Sequence, residues 1–335
     1  MNFPMVSVIV PVRNEERFIG RCLRSIIENE YPKEKLEIIV VDGMSEDGTR
    51  KIVEKLKDEF ENIKILENKY RYTPHALNIG IRNSKGEIFM IAGAHTTYSK
   101  NYIRECVLRI EKGYDVVGGL VRTVPSSDTP TARAIARVLS HPFGVGGAKY
   151  RTFESLDEDI EVDTVAYGLY RKSVVDRVGY FNENLLRNQD IEFNLRIKRS
   201  GGKILLTPKA TAYYHARDNL SKLWRNNFSN GFWVIWSLRF SKLPFSLRHL
   251  VPLFFILFLI FGGIASLVFK PLLWMYLPVV FLYVFLVLFF STHISLKERS
   301  LKVLIASIVA FLTLHISYGL GSLIAFLKMI LSKFV

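Results

Sequence analysis

Several short clusters in this chain have the residue types and spacing of a reaction site. Asn188-Gln189-Asp190-Ile191-Glu192 opens a helical pattern that continues through Leu195, Ile197 and Arg199. An acid there either completes a helix N-terminus as a favourable dipole partner or removes a proton from an attacking hydroxyl. Asp42-Gly43 closes the apolar run Leu36–Val41. That Asp either turns the chain or hydrogen-bonds a base or ribose. Asn14 and Glu15, after Pro11-Val12-Arg13, carry the same ambiguity, because either could simply start a helix. Gly144-Val145-Gly146-Gly147 permits close backbone approach to a phosphate, and Lys149 and Arg151 follow it; the alternative is a flexible connection. Gly93-Ala94-His95 ends another apolar run, and His215 lies far along the chain. No GxGxxG follows the first apolar run and no GxxxxGK[ST] occurs, which argues against a dinucleotide site and a P-loop NTPase.

These clusters need a scaffold, and the pattern supplies one. Val6–Val10, Leu36–Val41, Ile63–Leu66, Glu87–Ala92 and Asp115–Val121 read as strands. Between them Phe18–Ile27, Ile52–Phe60, Pro74–Ile81 and Tyr102–Ile110 carry apolar residues at helical spacing. Alternating strands and helices predict an α/β fold with a mainly parallel sheet. Ligands of such sheets bind beyond the carboxyl ends of the strands. Pro11–Glu15, Asp42 and Gly93–His95 are therefore predicted to share one edge. The long segment from Val124 to Asp163 could close over a substrate.

Composition places the chain at a membrane. It has 335 residues, 49% of them hydrophobic, and a formal charge of +14. Disorder is excluded by the apolar content, and two cysteines in so long a chain exclude a disulfide scaffold. Three uncharged stretches, 250–269, 271–294 and 303–327, each reach the ~20 residues that a bilayer crossing needs. The third contains His315, Gly319 and Gly321, which leaves tilting, kinking or re-entry open. The expected organisation is a catalytic domain over 1–215, amphipathic interfacial helices over 216–248 and a membrane domain over 249–335. Met1–Arg13 does not read as a signal peptide. Lys297, Arg299 and Lys302 between the second and third stretches agree with a cytoplasmic catalytic domain. A basic chain without a nucleic-acid module is not expected to bind nucleic acid.

The ordered motifs resemble the family 2 glycosyltransferases of the GT-A fold, a Rossmann-like architecture, and in particular the membrane-anchored succinoglycan-biosynthesis type. They are SVIVPVRNE at 7–15, VVDGMSEDGT at 40–49, ALNIGIRNSKGEI at 76–88, AHTTY at 94–98, FGVGGAKYR at 143–151 and the long match over 163–204. The resemblance covers about residues 5–240. It implies an inverting enzyme that takes a nucleoside diphosphate-sugar and extends a lipid-linked acceptor, a polyprenyl phosphate or diphosphate glycan. It implies that Pro11, Arg13, Asn14, Glu15 and Asp42 hold the base and ribose. Asn78, Gly93 and His95 would belong to the donor side, and Asp190 would be the general base. Gln189 stands where many relatives carry Glu. Gly146, Gly147, Lys149, Arg151, Arg217 and Arg225 are phosphate or acceptor candidates. Two other readings stay open: a polyprenyl-phosphate monoglycosyl synthase, and a non-catalytic scaffold of a polysaccharide assembly complex.

One departure from the family pattern bears on the cofactor. Relatives usually carry Asp-X-Asp or Asp-X-His after the fourth strand, which holds Mn²⁺ or Mg²⁺ against the diphosphate. This chain has Gly93-Ala94-His95. Either His95, with His215 and substrate oxygens, still holds a divalent metal, or Lys149, Arg151, Arg217 or Arg225 supplies the positive charge, or catalysis has been lost.

Overall fold

The computed structural model describes residues 3–153, 156–242, 245 and 247–332. They divide into two compact units. The first comprises residues 1–122 and 149–215, and the second 123–148 and 216–335.

The first unit is built on β1 (Val6–Val12), β2 (Leu36–Asp42), β3 (Ile63–Glu67) and β4 (Ile88–Ile91), which run parallel in the order β3-β2-β1-β4. α1 (Ile19–Ile27), α2 (Thr49–Glu59), α3 (Thr73–Arg82) and α4 (Tyr102–Ile110) connect or flank them. The strands are buried on both sides, and alternation sorts their residues between two cores. Val8, Val10, Ile38 and Val40 join Leu23 of α1, Leu56 of α2 and Ile103 of α4. Ile9, Ile39 and Val41 join Leu77 and Ile81 of α3. Helices cover both faces, and the strand ends carry the polar residues.

Beyond β4 the sheet departs from the simple alternation. β5 (Thr96–Tyr98) and β6 (Val116–Pro125) lie farther along the order β4-β8-β6-β9-β5, where β8 is Leu169–Arg171 and β9 is Ile204–Ala216. β8 is antiparallel to both β4 and β6. The sheet is thus parallel in its first half and mixed in its second. α9 (Gln189–Arg199) packs on the second core through Phe193 and Ile197. The segment expected as a lid is not an open loop. It holds α5 (Pro130–Val138), α6 (Pro142–Val145), α7 (Lys149–Thr152) and the short β7 (Ile160–Glu161), with α8 (Ser173–Val178) following β8.

The second unit contains three helical stretches long and apolar enough to cross a membrane: Leu247–Val268, Lys270–Glu298 and Leu301–Leu331. The first is α11 (Val251–Leu257) and α12 (Gly263–Val268) joined by a π-helical turn. The others are α13 (Leu273–Glu298) and α14 (Leu301–Leu331). α14 is one unbroken helix, so Gly319 and Gly321 do not kink it. They let other helices touch its backbone. A Cβ on Gly321 would stand 2.1 Å from the Phe228 carbonyl oxygen, and one on Gly231 2.0 Å from that of Tyr318. Gly231 and Phe228 belong to α10 (Leu220–Trp236), which therefore packs backbone-to-backbone on α14. Arg133 and Arg137 of α5 both donate to the Glu298 carboxylate at the end of α13.

Candidate active site

The carboxyl ends of β1 and β2 meet through their loops. Val12 stands opposite Asp42 in the parallel register. Asp42 is 3% exposed, and its Oδ1 accepts from the backbone N–H and the hydroxyl of Ser45 at 3.1 and 2.6 Å. This is the turn use of the carboxylate. A carboxylate has about four acceptor sites, so it leaves acceptor capacity. Asn14 is left-handed at φ 55°. Its Oδ1 accepts from Glu46 N–H at 2.9 Å, and its own N–H donates to Ser45 Oγ at 3.0 Å. Glu15 N–H donates to Thr49 Oγ1 at 2.7 Å. The two loops hold each other, and Arg13 is left exposed beside Gly43.

The third loop explains the missing carboxylate. A Cβ on Gly93 would lie 2.7 Å from Cε1 of Tyr167. Tyr167 is itself left-handed at φ 54°, and its carbonyl accepts from Tyr102 Oη at 2.9 Å. An aromatic ring therefore fills the space that an acidic side chain at position 93 would need. Gly93 N–H donates to Tyr98 Oη at 2.9 Å. Two residues on, His95 Nε2 lies 2.8 Å from Glu15 Oε1. Phe18 packs edge-on to the His95 ring at 5.1 Å and beside the His215 ring at 6.0 Å. His215 N–H donates to the His95 carbonyl at 2.9 Å, so the two residues are backbone neighbours across the strands. Burial, Arg21 and His95 all hold the His215 imidazole below its usual pKa.

The metal expectation can be tested on these groups. Among the described residues, no three His, Cys, Asp or Glu side chains are grouped to hold an ion. Yet the buried His215 Nε2 has no partner, and the carboxylate on His95 Nε2 is the arrangement that orients a ligating imidazole. His95 and His215 are thus the residues of this loop whose chemistry suits a divalent ion.

Asp190 sits in the first turn of α9, behind left-handed Asn188 at φ 59°. It is only partly exposed. Burial raises its carboxyl above the ordinary range, against the helix N–H groups and Arg151, which pull it down. Tyr170 lies within electrostatic reach of Asp190, and its Oη is 3.2 Å from Asn194 Oδ1. Asn194 Nδ2 donates to Thr164 Oγ1 at 2.8 Å. Arg151 faces the Tyr214 ring at 5.1 Å, and its buried Nε has no partner. Glu192, next along the helix, pairs with Arg196 and serves the fold.

Asn78, expected on the donor side, has both of its amide N–H groups engaged within the protein. It is 2% exposed and donates to Phe181 O and Glu183 Oε1 at 2.9 and 2.8 Å. Its Oδ1 accepts from Phe181 N–H at 3.0 Å. It clamps the loop that leads to α9 and is a positioning residue. Gln189 begins α9 beside Asp190, and Lys149 begins α7. Gly146, Gly147, Arg217 and Arg225 belong to the second unit. Tyr167, Tyr170, Asn194 and Thr164 were not singled out by sequence, because nothing in their spacing separates them from core and loop residues.

The parallel sheet with its polar strand ends and the mixed strands beyond it define a scaffold of the GT-A type. Residues 7–179 match the family model described as glycosyl transferase family 2. The chain belongs to that family and is a glycosyltransferase, which removes the scaffold alternative. It is 31% identical over 330 residues to the dolichyl N-acetyl-alpha-D-glucosaminyl phosphate 3-beta-D-2,3-diacetamido-2,3-dideoxy-beta-D-glucuronosyltransferase of Methanococcus voltae, covering 95% of this chain and 96% of that one. It is 26% identical to the succinoglycan biosynthesis protein ExoA of Rhizobium meliloti, over 94% and 92% of the two chains. Its fold is similar to that of the mannosyltransferase PcManGT from Pyrobaculum calidifontis, solved with GDP-Man and Mn²⁺. That TM-score is 0.58 at 18% identity, over 96% of this chain and 88% of the other.

Two outcomes follow from the geometry. Gly93→Asp should lower the melting temperature by meeting the Tyr167 ring, and adding Tyr167→Ala should restore much of the loss; equal melting temperatures for wild type and Gly93→Asp would contradict the packing. The raised Asp190 carboxyl means that its ionised form is less favoured in the folded than in the unfolded chain. Its ionisation therefore costs stability as pH rises above the unfolded pKa. At neutral pH Asp190→Asn should keep or raise the melting temperature while transfer falls by about 10²-fold or more. The acid limb of the wild-type pH–rate profile should lie above the usual carboxylate range.

Proposed function

We propose that this enzyme transfers a sugar with inversion from a nucleoside diphosphate-sugar to a lipid-linked acceptor, a polyprenyl phosphate or diphosphate glycan, at the cytoplasmic membrane face. The observation that carries the reading is the partly buried Asp190 opening α9 in a chain that also holds three span-length apolar helices. The Methanococcus voltae relative, named for a dolichyl N-acetylglucosaminyl phosphate, supports the acceptor class.

Pro11, Arg13, Asn14, Glu15 and Asp42 form the donor's base and ribose edge, kept in shape by the Ser45 and Glu46 bonds. Asn78 fixes the loop before α9. Asp190 accepts the acceptor hydroxyl's proton as that oxygen bonds to the anomeric carbon. The bond from that carbon to the diphosphate breaks in the same step, and the nucleoside diphosphate leaves with the electron pair. One displacement inverts the centre, since no second carboxylate is called on as nucleophile. Tyr170 and its Asn194–Thr164 chain hold the site beside the carboxylate. His95 and His215 would hold a divalent ion, which when bound neutralises charge on the leaving diphosphate. Within the first unit, Lys149 and Arg151 add positive charge for a phosphate, with Gln189 beside Asp190.

The test is nucleoside diphosphate release by detergent-purified enzyme over a panel of nucleotide-sugars, with polyprenyl phosphate or polyprenyl-linked N-acetylglucosamine as acceptor. One donor should be used with the sugar-bearing acceptor, Asp190→Asn should abolish release, and EDTA should suppress it. Transfer to bare polyprenyl phosphate alone would favour a monoglycosyl synthase. Full activity in Asp190→Asn would overturn the assignment of the base.

A further inference from the structure

His315 lies near the middle of α14, in a stretch without Asp, Glu, Lys or Arg from Val303 to Leu327. Its two ring nitrogens are both engaged. Nε2 lies 2.8 Å from the carbonyl oxygen of Phe143, and Nδ1 lies 3.0 Å from Tyr283 Oη on α13. A carbonyl can only accept, so Nε2 carries the proton, Nδ1 accepts, and Tyr283 donates. The bonds form one directed chain from Tyr283 through His315 to the backbone of α6. Phe143 fills the space around it, 5.0 Å from Phe290 and 5.3 Å from Phe311. Polar groups among such apolar helices are costly unless paired, and here their pairing is used to hold a four-residue helix in place.

The segment held this way ends in glycines. Gly144 sits where a Cβ would stand 2.2 Å from the Val138 carbonyl oxygen, so α6 is pressed against α5. Gly146 is left-handed at φ 63° and faces open space. The carbonyl of Gly147 accepts from Arg248 Nη1 at 3.1 Å, and a Cβ on Gly147 would stand 3.2 Å from that nitrogen. Arg248 is exposed, opens the first apolar stretch at Leu247–Val268, and has no carboxylate partner among the described residues. One of its five donors is spent on Gly147, which fixes the guanidinium while leaving the rest free.

We infer that Arg248, held by the Gly147 carbonyl, forms a seat for the phosphate of a membrane-embedded lipid, and that His315 and Tyr283 are positioning residues that hold this seat between the apolar helices. A guanidinium at the start of a span lies where lipid phosphates lie, and its planar fork matches phosphate oxygens. The seat would fix a lipid-linked acceptor by its phosphate, independently of the sugar to be extended. This inference rests on the lipid-acceptor reading above.

The test uses the full-length enzyme in neutral detergent, with polyprenyl phosphate N-acetylglucosamine as the acceptor probe. Donor hydrolysis without acceptor is measured alongside transfer. Arg248→Ala and His315→Leu should each raise the acceptor KM about tenfold or more, with donor KM and donor hydrolysis within about twofold of wild type. His315→Gln can donate to the Phe143 carbonyl and should restore most of the affinity; Arg248→Lys should restore part. If His315→Leu does not fold, Tyr283→Phe and Arg248→Ala carry the test. An unchanged acceptor KM, parallel changes in donor and acceptor KM, or no rescue by glutamine would overturn the seat. So would KM changes that appear only when anionic phospholipid is added, since they assign the contact to bulk headgroups. Activity surviving in Asp190→Asn would instead defeat the underlying transfer mechanism, a separate result.

Discussion

On the proposed reading Asp190 takes the proton of a sugar hydroxyl, and that reading depends on the burial of its carboxyl at the start of α9. Burial pushes its carboxyl up, while the N–H groups of α9 and the Arg151 charge hold it down. Burial is the larger influence, and it strengthens the carboxylate's hold on a proton. Much of the first unit serves this one placement. Asn188 adopts a left-handed backbone so that α9 can begin there, Phe193 and Ile197 anchor the helix in the core, and Asn78 ties down the loop before it. The same burial makes the residue a cost to folding, a common exchange of stability for function.

The donor edge shows how a family pattern can be altered without dismantling the site. Where an acidic residue is usual, Tyr167 occupies the space over Gly93. The hydroxyls of Tyr98 and Tyr102 bond the Gly93 N–H and the Tyr167 carbonyl and offset the cost of the left-handed Tyr167 backbone. On the proposed reading the imidazoles of His95 and His215 would be the ligating groups, and Glu15 Oε1 lies 2.8 Å from the first. Gly93 is therefore part of a repacked loop and not an isolated loss.

Much of the fold was legible because the first four strands are short runs rich in apolar residues, unbroken in β4, alternating with helices that have one apolar face. Their carboxyl ends then had to share an edge, and Pro11–Glu15 and Asp42 do interlock there. β5 and β8 were not legible. Three residues carry no periodicity, and β8 takes its place only by pairing between β4 and β6. The Asn78 clamp was also hidden, since its partner Phe181 lies more than a hundred residues away. Likewise Gly319 and Gly321 read as weak points of a span, whereas Gly321 and Gly231 are contact points between α14 and α10. Glycine in a sequence reports only that a Cβ is missing, and the neighbour that needs the space comes from elsewhere in the chain.

The central claim is a single displacement assisted by Asp190, and the product's anomeric configuration tests it most directly. With a donor of known configuration, the NMR coupling at the anomeric carbon of the transferred sugar should show the opposite configuration. Retained configuration would require two displacements and an enzymic nucleophile, and would contradict the account.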